Sequence, residues 1–78
     1  MSADDLFKHI RQRPFIPFVV ITTDGTRYEI RHPELLMVGH RHVVIGVPAQ
    51  PGEAVFETTV YLSLLHLQRV EVREPAET

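Results

Sequence analysis

The sequence predicts a mainly β domain, in which one short N-terminal helix precedes a small, strongly bent barrel of five antiparallel strands. From residue 15 onward, runs of β-branched and aromatic residues alternate with turn residues. The pair Asp24-Gly25 separates the first two runs and is typical of a tight β-hairpin. A single helical turn is predicted before the last run, an arrangement typical of small sheets that close into barrels.

Length and composition indicate one folded domain. The chain has 78 residues, of which 44% are hydrophobic and 23% are charged, as in ordinary globular proteins. We expect a single domain over residues 1–78, with a helix at 2–13, the β-barrel at 15–72 and a polar tail at 73–78. A core of this size leaves little room for a buried catalytic cavity, so we predict that the protein is not an enzyme.

The same composition argues against several functional classes. The sequence contains no cysteine, which excludes disulfides and thiolate metal sites and favours a cytoplasmic location. No apolar run approaches the roughly 20 residues that span a bilayer, so we expect no membrane partner. The formal net charge of −2 provides no long-range attraction to nucleic acid, although a local basic patch remains open. We predict no cofactor.

The N-terminal segment has the signals of a short amphipathic helix. Ser2 is a favourable N-cap, Leu6, Phe7 and Ile10 form one apolar stripe, and Pro14 ends the helical pattern. We expect this helix to lie on the sheet. The alternative is that it frays and its stripe binds a partner, since so short a helix is marginal alone.

In the first hairpin, a two-residue type I′ turn at Asp24-Gly25 would fix the register. That register pairs Ile21 with Tyr28 and places their face in the core. Phe18 and Val20 then lie on the outer face and need a cover, for which the N-terminal helix is the candidate. The remaining predicted elements are a second hairpin from runs 35–38 and 42–47, a loop at 48–53, a strand from residue 55, a helical turn capped by Ser63 and a final strand at 67–72.

The run Pro14 to Glu34 combines a PFxPF motif, a DG hairpin and an HP turn. In this it resembles a family of small uncharacterised bacterial proteins of about this length. The family carries no assigned activity, so the resemblance implies no function. The element order is also similar to SH3-like and Sm-like barrels, and the latter implies RNA binding. The Asp/Asn pattern of the first Sm motif and the RG or KH signature of the second are absent.

The sequence contains three groups of side chains that suit a chemical site. Arg27, Arg31 and Arg41 predict a candidate nucleic-acid face, and the alternative is a solvated strand face interrupted by Glu29. His32, His40 and His42 suit a metal, but they also read as solvated turn histidines. Ser63 and His66 suggest a nucleophile and base, although capping explains Ser63 more simply. We predict neither a metal site nor a catalytic site.

An interaction role is better supported than any of these chemical sites, because a small open sheet leaves unpaired strand edges. Phe18, Val20, Leu65 and Leu67 are the candidate interface residues. We therefore predict a barrel that self-associates or binds another protein through a sheet edge, with the final segment LSLLHLQRVEV as the candidate edge. An Sm-like nucleic-acid binding protein is the alternative. The alternative to self-association is a monomer in which the N-terminal helix covers the apolar surface.

Overall fold

The structure, a computed structural model, describes residues 1–73. The predicted polar tail lies outside these residues except for Arg73. The described elements are α1 (Ala3–Arg11), β1 (Phe18–Thr22), β2 (Arg27–Ile30), β3 (Leu36–Val38), β4 (His42–Pro48), β5 (Phe56–Ser63) and β6 (Leu67–Val72), with 3₁₀ turns η1 (Pro33–Leu35) and η2 (Leu64–His66).

The strands form two three-stranded antiparallel sheets. The first sheet has the order β2-β1-β6 and the second the order β3-β4-β5. The prediction of a mainly β fold with one N-terminal helix is confirmed. The five-stranded closed barrel is wrong, because residues 1–73 contain six strands and the two sheets are not joined by strand pairing. The turn η1 lies between β2 and β3, where the chain passes from the first sheet to the second.

The helix forms for the reasons that the sequence suggested. Ser2 caps it, with its Oγ accepting a hydrogen bond from the Asp5 amide at 3.2 Å. It ends at Arg11, two residues earlier than predicted, because Gln12 already has extended backbone angles. Leu6 is fully buried in the same cluster as Phe18 and Val20, so the helix does cover these two side chains.

The register predicted for the first hairpin is wrong by one residue. Thr22 and Thr26 flank a three-residue loop, in which the Gly25 amide donates to the Thr22 carbonyl oxygen and Gly25 has φ of 91°. Asp24 stabilises this loop because its carboxylate accepts hydrogen bonds from the Thr22 hydroxyl and from the Thr26 amide and hydroxyl. The observed pairs are therefore Val20 with Tyr28 and Ile21 with Arg27.

A one-residue change in register exchanges the two faces of β1 relative to those of β2, whose Tyr28 and Ile30 keep their predicted face. Phe18 and Val20 thus point into the core, where the prediction had placed Val19 and Ile21. All five residues of β1 are nonetheless buried, since this strand is the centre of its sheet. The main core cluster consists of Leu6, Phe18, Val20, Ile30, Leu36, Val43, Ile45, Leu64 and Leu67.

The second half of the chain follows the prediction closely. The second hairpin pairs β3 with β4, and β5 then runs along the other side of β4. Ser63 caps η2 by accepting a hydrogen bond from the Leu65 amide at 3.1 Å. The final strand spans Leu67–Val72 as predicted, and it pairs with β1 of the same chain. No helix among the described residues is long and apolar enough to cross a membrane.

Candidate functional site

The outer face of the first sheet gathers four arginines, and we call it the arginine face. Arg27 and Arg31 come from β2 and the residue after it, while Arg69 and Arg73 come from β6 and the residue after it. Glu29 of β2 and Glu71 of β6 lie between these arginines, and both are paired with Val19 of the central strand β1. The contribution of β6 was not predicted from the sequence. The alternation of Arg69, Glu71 and Arg73 was the available signal, but it required knowing that β6 lies beside β1.

Two ion pairs on the arginine face cross over the central strand. Arg27 Nη2 lies 2.8 Å from Glu71 Oε1, and Arg73 Nη2 lies 3.0 Å from Glu29 Oε2. These pairs join the two edge strands above β1, whose outward side chains Val19 and Ile21 are each only 3% exposed. The long charged side chains therefore cover apolar surface that would otherwise face water.

The positive charges of the arginine face are partly neutralised by its two glutamates. The Arg27 guanidinium and then Arg69 hydrogen-bond to Glu71 and lower the pKa of its carboxyl group. Arg69 Nη2 lies 2.9 Å from Glu71, and Arg31 Nε lies 3.3 Å from Glu29. Four arginines thus share two glutamates, which leaves an excess of two positive charges. Because these groups are exposed, each pair adds little to stability.

The predicted nucleic-acid face is brought together only in part. Arg27 and Arg31 share the arginine face, as predicted. Arg41 does not join them, because it lies in the β3–β4 connection of the second sheet. Tyr28 lies opposite Val20 and packs against the core, so it does not present its ring on the arginine face.

A cleft between the two sheets lies beside Arg27 and Arg31, and we call it the inter-sheet cleft. Its volume is about 320 Å³. Arg27 and Arg31 lie at its β2 side, and Leu35, Ile45 and Val47 contribute apolar surface. The loop after β4 closes one end, where His32 Nε2 lies 2.9 Å from the Gly52 carbonyl oxygen. The cleft combines apolar walls with a few charged groups, as small ligand sites do.

The predicted interface residues separate into two groups. Phe18, Val20 and Leu67 are buried in the core of this chain and cannot reach a partner in this fold. Their burial follows from the corrected hairpin register and from the pairing of β6 with β1. Leu65 is 84% exposed and remains available for a contact.

An exposed edge strand lies elsewhere, at β5. This strand is eight residues long, and its first four residues are exposed. On the outer face of the same sheet, Met37, Val44 and Tyr61 form one row across β3, β4 and β5. Met37 is 66% exposed and Tyr61 is 68% exposed. The sequence signal was the low charge of this strand, which contains only Glu57, but its edge position could not be read from sequence.

The histidines do not gather into a metal site. His32 contacts the loop after β4, whereas the His42 ring stacks on Tyr61 with centroids 4.7 Å apart. Among residues 1–73, no group of three histidine, aspartate or glutamate side chains is placed to hold a metal ion. The Ser63 hydroxyl is engaged in capping η2.

The chain was also compared with known proteins. No protein-family model, curated protein or solved structure matches it. Function is therefore inferred from the geometry of these surfaces.

Proposed function

We propose that this protein is a non-enzymatic interaction module that pairs with a second copy of itself through the edge of β5. The observation that carries this proposal is an edge strand whose residues 58–63 pair in regular register with β4 and include no charged residue and no proline. Natural edge strands are commonly shortened, charged or broken by proline, because their free backbone groups otherwise pair with other strands.

The other edge strands of the described residues have such protection. β3 has only three residues, and β2 has four, of which Arg27 and Glu29 are charged. β6 carries Arg69 and Glu71. By contrast β5, with the sequence FETTVYLS, contains no lysine, arginine or proline, and its single charge, Glu57, lies where its register with β4 shifts. It is therefore the edge best suited to accept another strand.

A two-fold axis at Thr59 gives a consistent antiparallel pairing of two copies. An isologous interface brings the same surface from both copies together. With Thr59 opposite itself, Thr58 of one copy lies opposite Val60 of the other, within the part of β5 that pairs regularly with β4. A register centred on Glu57 would instead oppose two like charges. The paired sheets would form one six-stranded sheet from twice the three strands of each copy.

The finer fold assignment belongs to the same proposal. We treat the domain as an open variant of the SH3-like or Sm-like arrangement, supported by a 3₁₀ turn before a final strand that returns to β1. In a closed barrel few edges remain, whereas an open one leaves β5 free to pair. We keep a cytoplasmic location for the module, in line with its cysteine-free sequence.

Solution mass tests the proposal. We expect light scattering to give a mass that rises with concentration toward twice the 9.0 kDa of one chain. Thr59→Lys places a cation opposite its own copy and should return the mass to that of a monomer. Gln68→Lys adds the same charge at an exposed position of β6 and should leave the dimer intact. A monomer at all concentrations, or equal effects of the two variants, would contradict the proposal.

A second candidate function, binding of single-stranded nucleic acid, is supported by the excess positive charge of the arginine face. Support for this second function is reduced because each arginine is ion-paired with Glu29 or Glu71. The inward placement of Tyr28 reduces it further, since the ring is not available for stacking on a base. Fluorescence anisotropy with a labelled single-stranded RNA separates the two candidates. Binding whose affinity falls with salt and is lost in Arg69→Gln would favour nucleic acid, because released counterions make such contacts salt-dependent.

A further inference from the structure

The second sheet carries apolar side chains on its outer face as well as on its core face. Val43 and Ile45 of β4 belong to the main core cluster, so Val44, which lies between them, points to the outer face. The register places Met37 of β3 and Tyr61 of β5 on either side of Val44, and we call these three residues the apolar row. The outer face of such an antiparallel sheet is normally polar when it contacts only water.

The apolar surface continues along β4 beyond this row. Gly46 lies two residues after Val44 and therefore shares its face. A Cβ at Gly46 would lie 3.0 Å from Phe56 Cβ and 3.1 Å from Leu35 Cδ2, so these two side chains close over the glycine. Phe56 is itself 54% exposed, and both ends of the apolar row are more exposed than buried. Exposed apolar side chains grouped in this way mark an interaction surface.

The apolar row can meet its own copy without electrostatic cost, because it contains no charged side chain. Its neighbours on the same face include Thr59 of β5 and His42 of β4, whose ring stacks on Tyr61. The charged residue of β5, Glu57, lies beyond the part of this strand that pairs regularly with β4. A two-fold contact sets a surface against its own copy, so a charged face would oppose like charges. The second copy is therefore a chemically compatible occupant of this face.

The proposed β5 pairing would make the outer faces of two copies continuous. Directly opposite residues of antiparallel strands have their side chains on the same face. Thr59, which would lie opposite its own copy, is two positions from Tyr61 and shares its face. Both apolar rows would therefore lie on the same side of the six-stranded sheet.

The size of this face decides which species can stack. With strands about 4.8 Å apart and a rise of about 3.4 Å per residue, three strands as long as the seven residues of β4 cover about 340 Å². A standard stable interface buries about 800 Å² on each partner. One copy presents less than half of that area, whereas two copies joined through β5 present about 700 Å².

We infer that two β5-paired dimers of this protein stack through their outer faces, giving a four-copy sandwich of two six-stranded sheets. The stacking rests on the proposed β5 dimer and assigns a second surface, with another dimer of the same chain as its partner. Sheets that pack face to face lie about 10 Å apart and interdigitate their facing side chains. A closed set of two-fold contacts limits the assembly to four copies.

Light scattering over a wide range of protein concentration tests the stacking. Above the concentrations that complete the β5 dimer, we expect the mass to rise further, toward four times the 9.0 kDa of one chain. Met37→Glu places a charge in the apolar row, on β3 and away from the β5 edge, and should hold the mass at two copies. Its circular dichroism spectrum should match that of the natural protein, because Met37 is exposed.

Two control variants should keep the four-copy mass. Met37→Leu keeps the apolar row apolar. Leu65→Glu introduces the same charge in place of a side chain that is 84% exposed, but it lies in η2, outside the three strands of the sheet. Thr59→Lys should remain a monomer at every concentration, because the face of one copy is too small to hold a partner.

The outcomes separate the two proposals. A natural protein that stays at two copies at the highest concentration would overturn the stacking, leave the β5 dimer intact and indicate a different partner for the outer face. Four copies in Met37→Glu, or equal loss in Leu65→Glu, would also overturn it. A monomer at all concentrations would contradict the β5 pairing itself, and the stacking with it. A dimer in Thr59→Lys would refute the dependence of stacking on β5.

Discussion

The substitution Leu6→Ala tests whether the helix belongs to the same folded unit as the sheets. Leu6 is the buried residue of α1, with 0% exposure, and it packs in the cluster that contains Phe18 and Val20. Replacing a fully buried leucine with alanine costs about 2–5 kcal/mol, because the lost transfer free energy adds to that of the cavity. A domain of 78 residues has a free energy of unfolding of about 4–12 kcal/mol. The variant should therefore lose a large share of its stability.

The assay is urea or thermal unfolding followed by circular dichroism. For a loss of about 3 kcal/mol in a domain of this size, the melting temperature should fall by about 12–24 °C. Phe7→Ala is the control, because Phe7 is the next residue, is 43% exposed and contacts Arg11 on the surface. It should cost about 1 kcal/mol or less. A cost below about 1 kcal/mol for Leu6→Ala, or equal costs for both variants, would refute the packing of the helix described above.

Two further predictions concern close packing and pH. Gly46→Ala should lower the free energy of unfolding by about 1–3 kcal/mol in urea titrations, because the new Cβ would lie 3.0 Å from Phe56 Cβ and 3.1 Å from Leu35 Cδ2; unchanged stability would contradict this contact. Hydrogen bonds, above all from the Thr22 hydroxyl, lower the pKa of the Asp24 carboxyl group in the folded state. The ionised carboxylate therefore stabilises the fold fully above the unfolded-state pKa of about 3.9. This stabilisation is lost as the pH falls through the lower pKa of the folded state. Asp24→Asn should therefore be less stable than the natural protein at neutral pH, and the difference in urea midpoint should shrink in acid; a difference independent of pH would exclude this role.

The first hairpin shows why element positions were predictable and their faces were not. The runs, the turn and the pairing partner of β1 could be read from residue types. The register could not, because both Phe18 with Val20 and Val19 with Ile21 are apolar pairs suitable for a core. Local hydrogen bonds to the Asp24 carboxylate then favoured a three-residue loop over the two-residue turn. A strand buried on both faces carries no alternation from which to choose its inner face.

The candidate surfaces were predictable to a similar extent. Arg27 and Arg31 alternate within one strand, so their common face followed from local periodicity. The addition of Arg69 and Arg73, and the separation of Arg41, depend on strand order, which joins residues far apart in sequence. The choice of β5 as the open edge has the same origin. Sequence patterns describe the faces of a strand, whereas its neighbours are set by the whole fold.

The position of β1 between β2 and β6 has a consequence for synthesis of the chain. The second sheet consists of consecutive hairpins and can form as soon as residue 63 is available. The segment FVVIT of β1 gains its second neighbour only from Leu67–Val72, about fifty positions later. Contacts between such distant segments form slowly, and exposed apolar strands associate with one another in the meantime. The nascent chain therefore carries an aggregation-prone segment until β6 has been made.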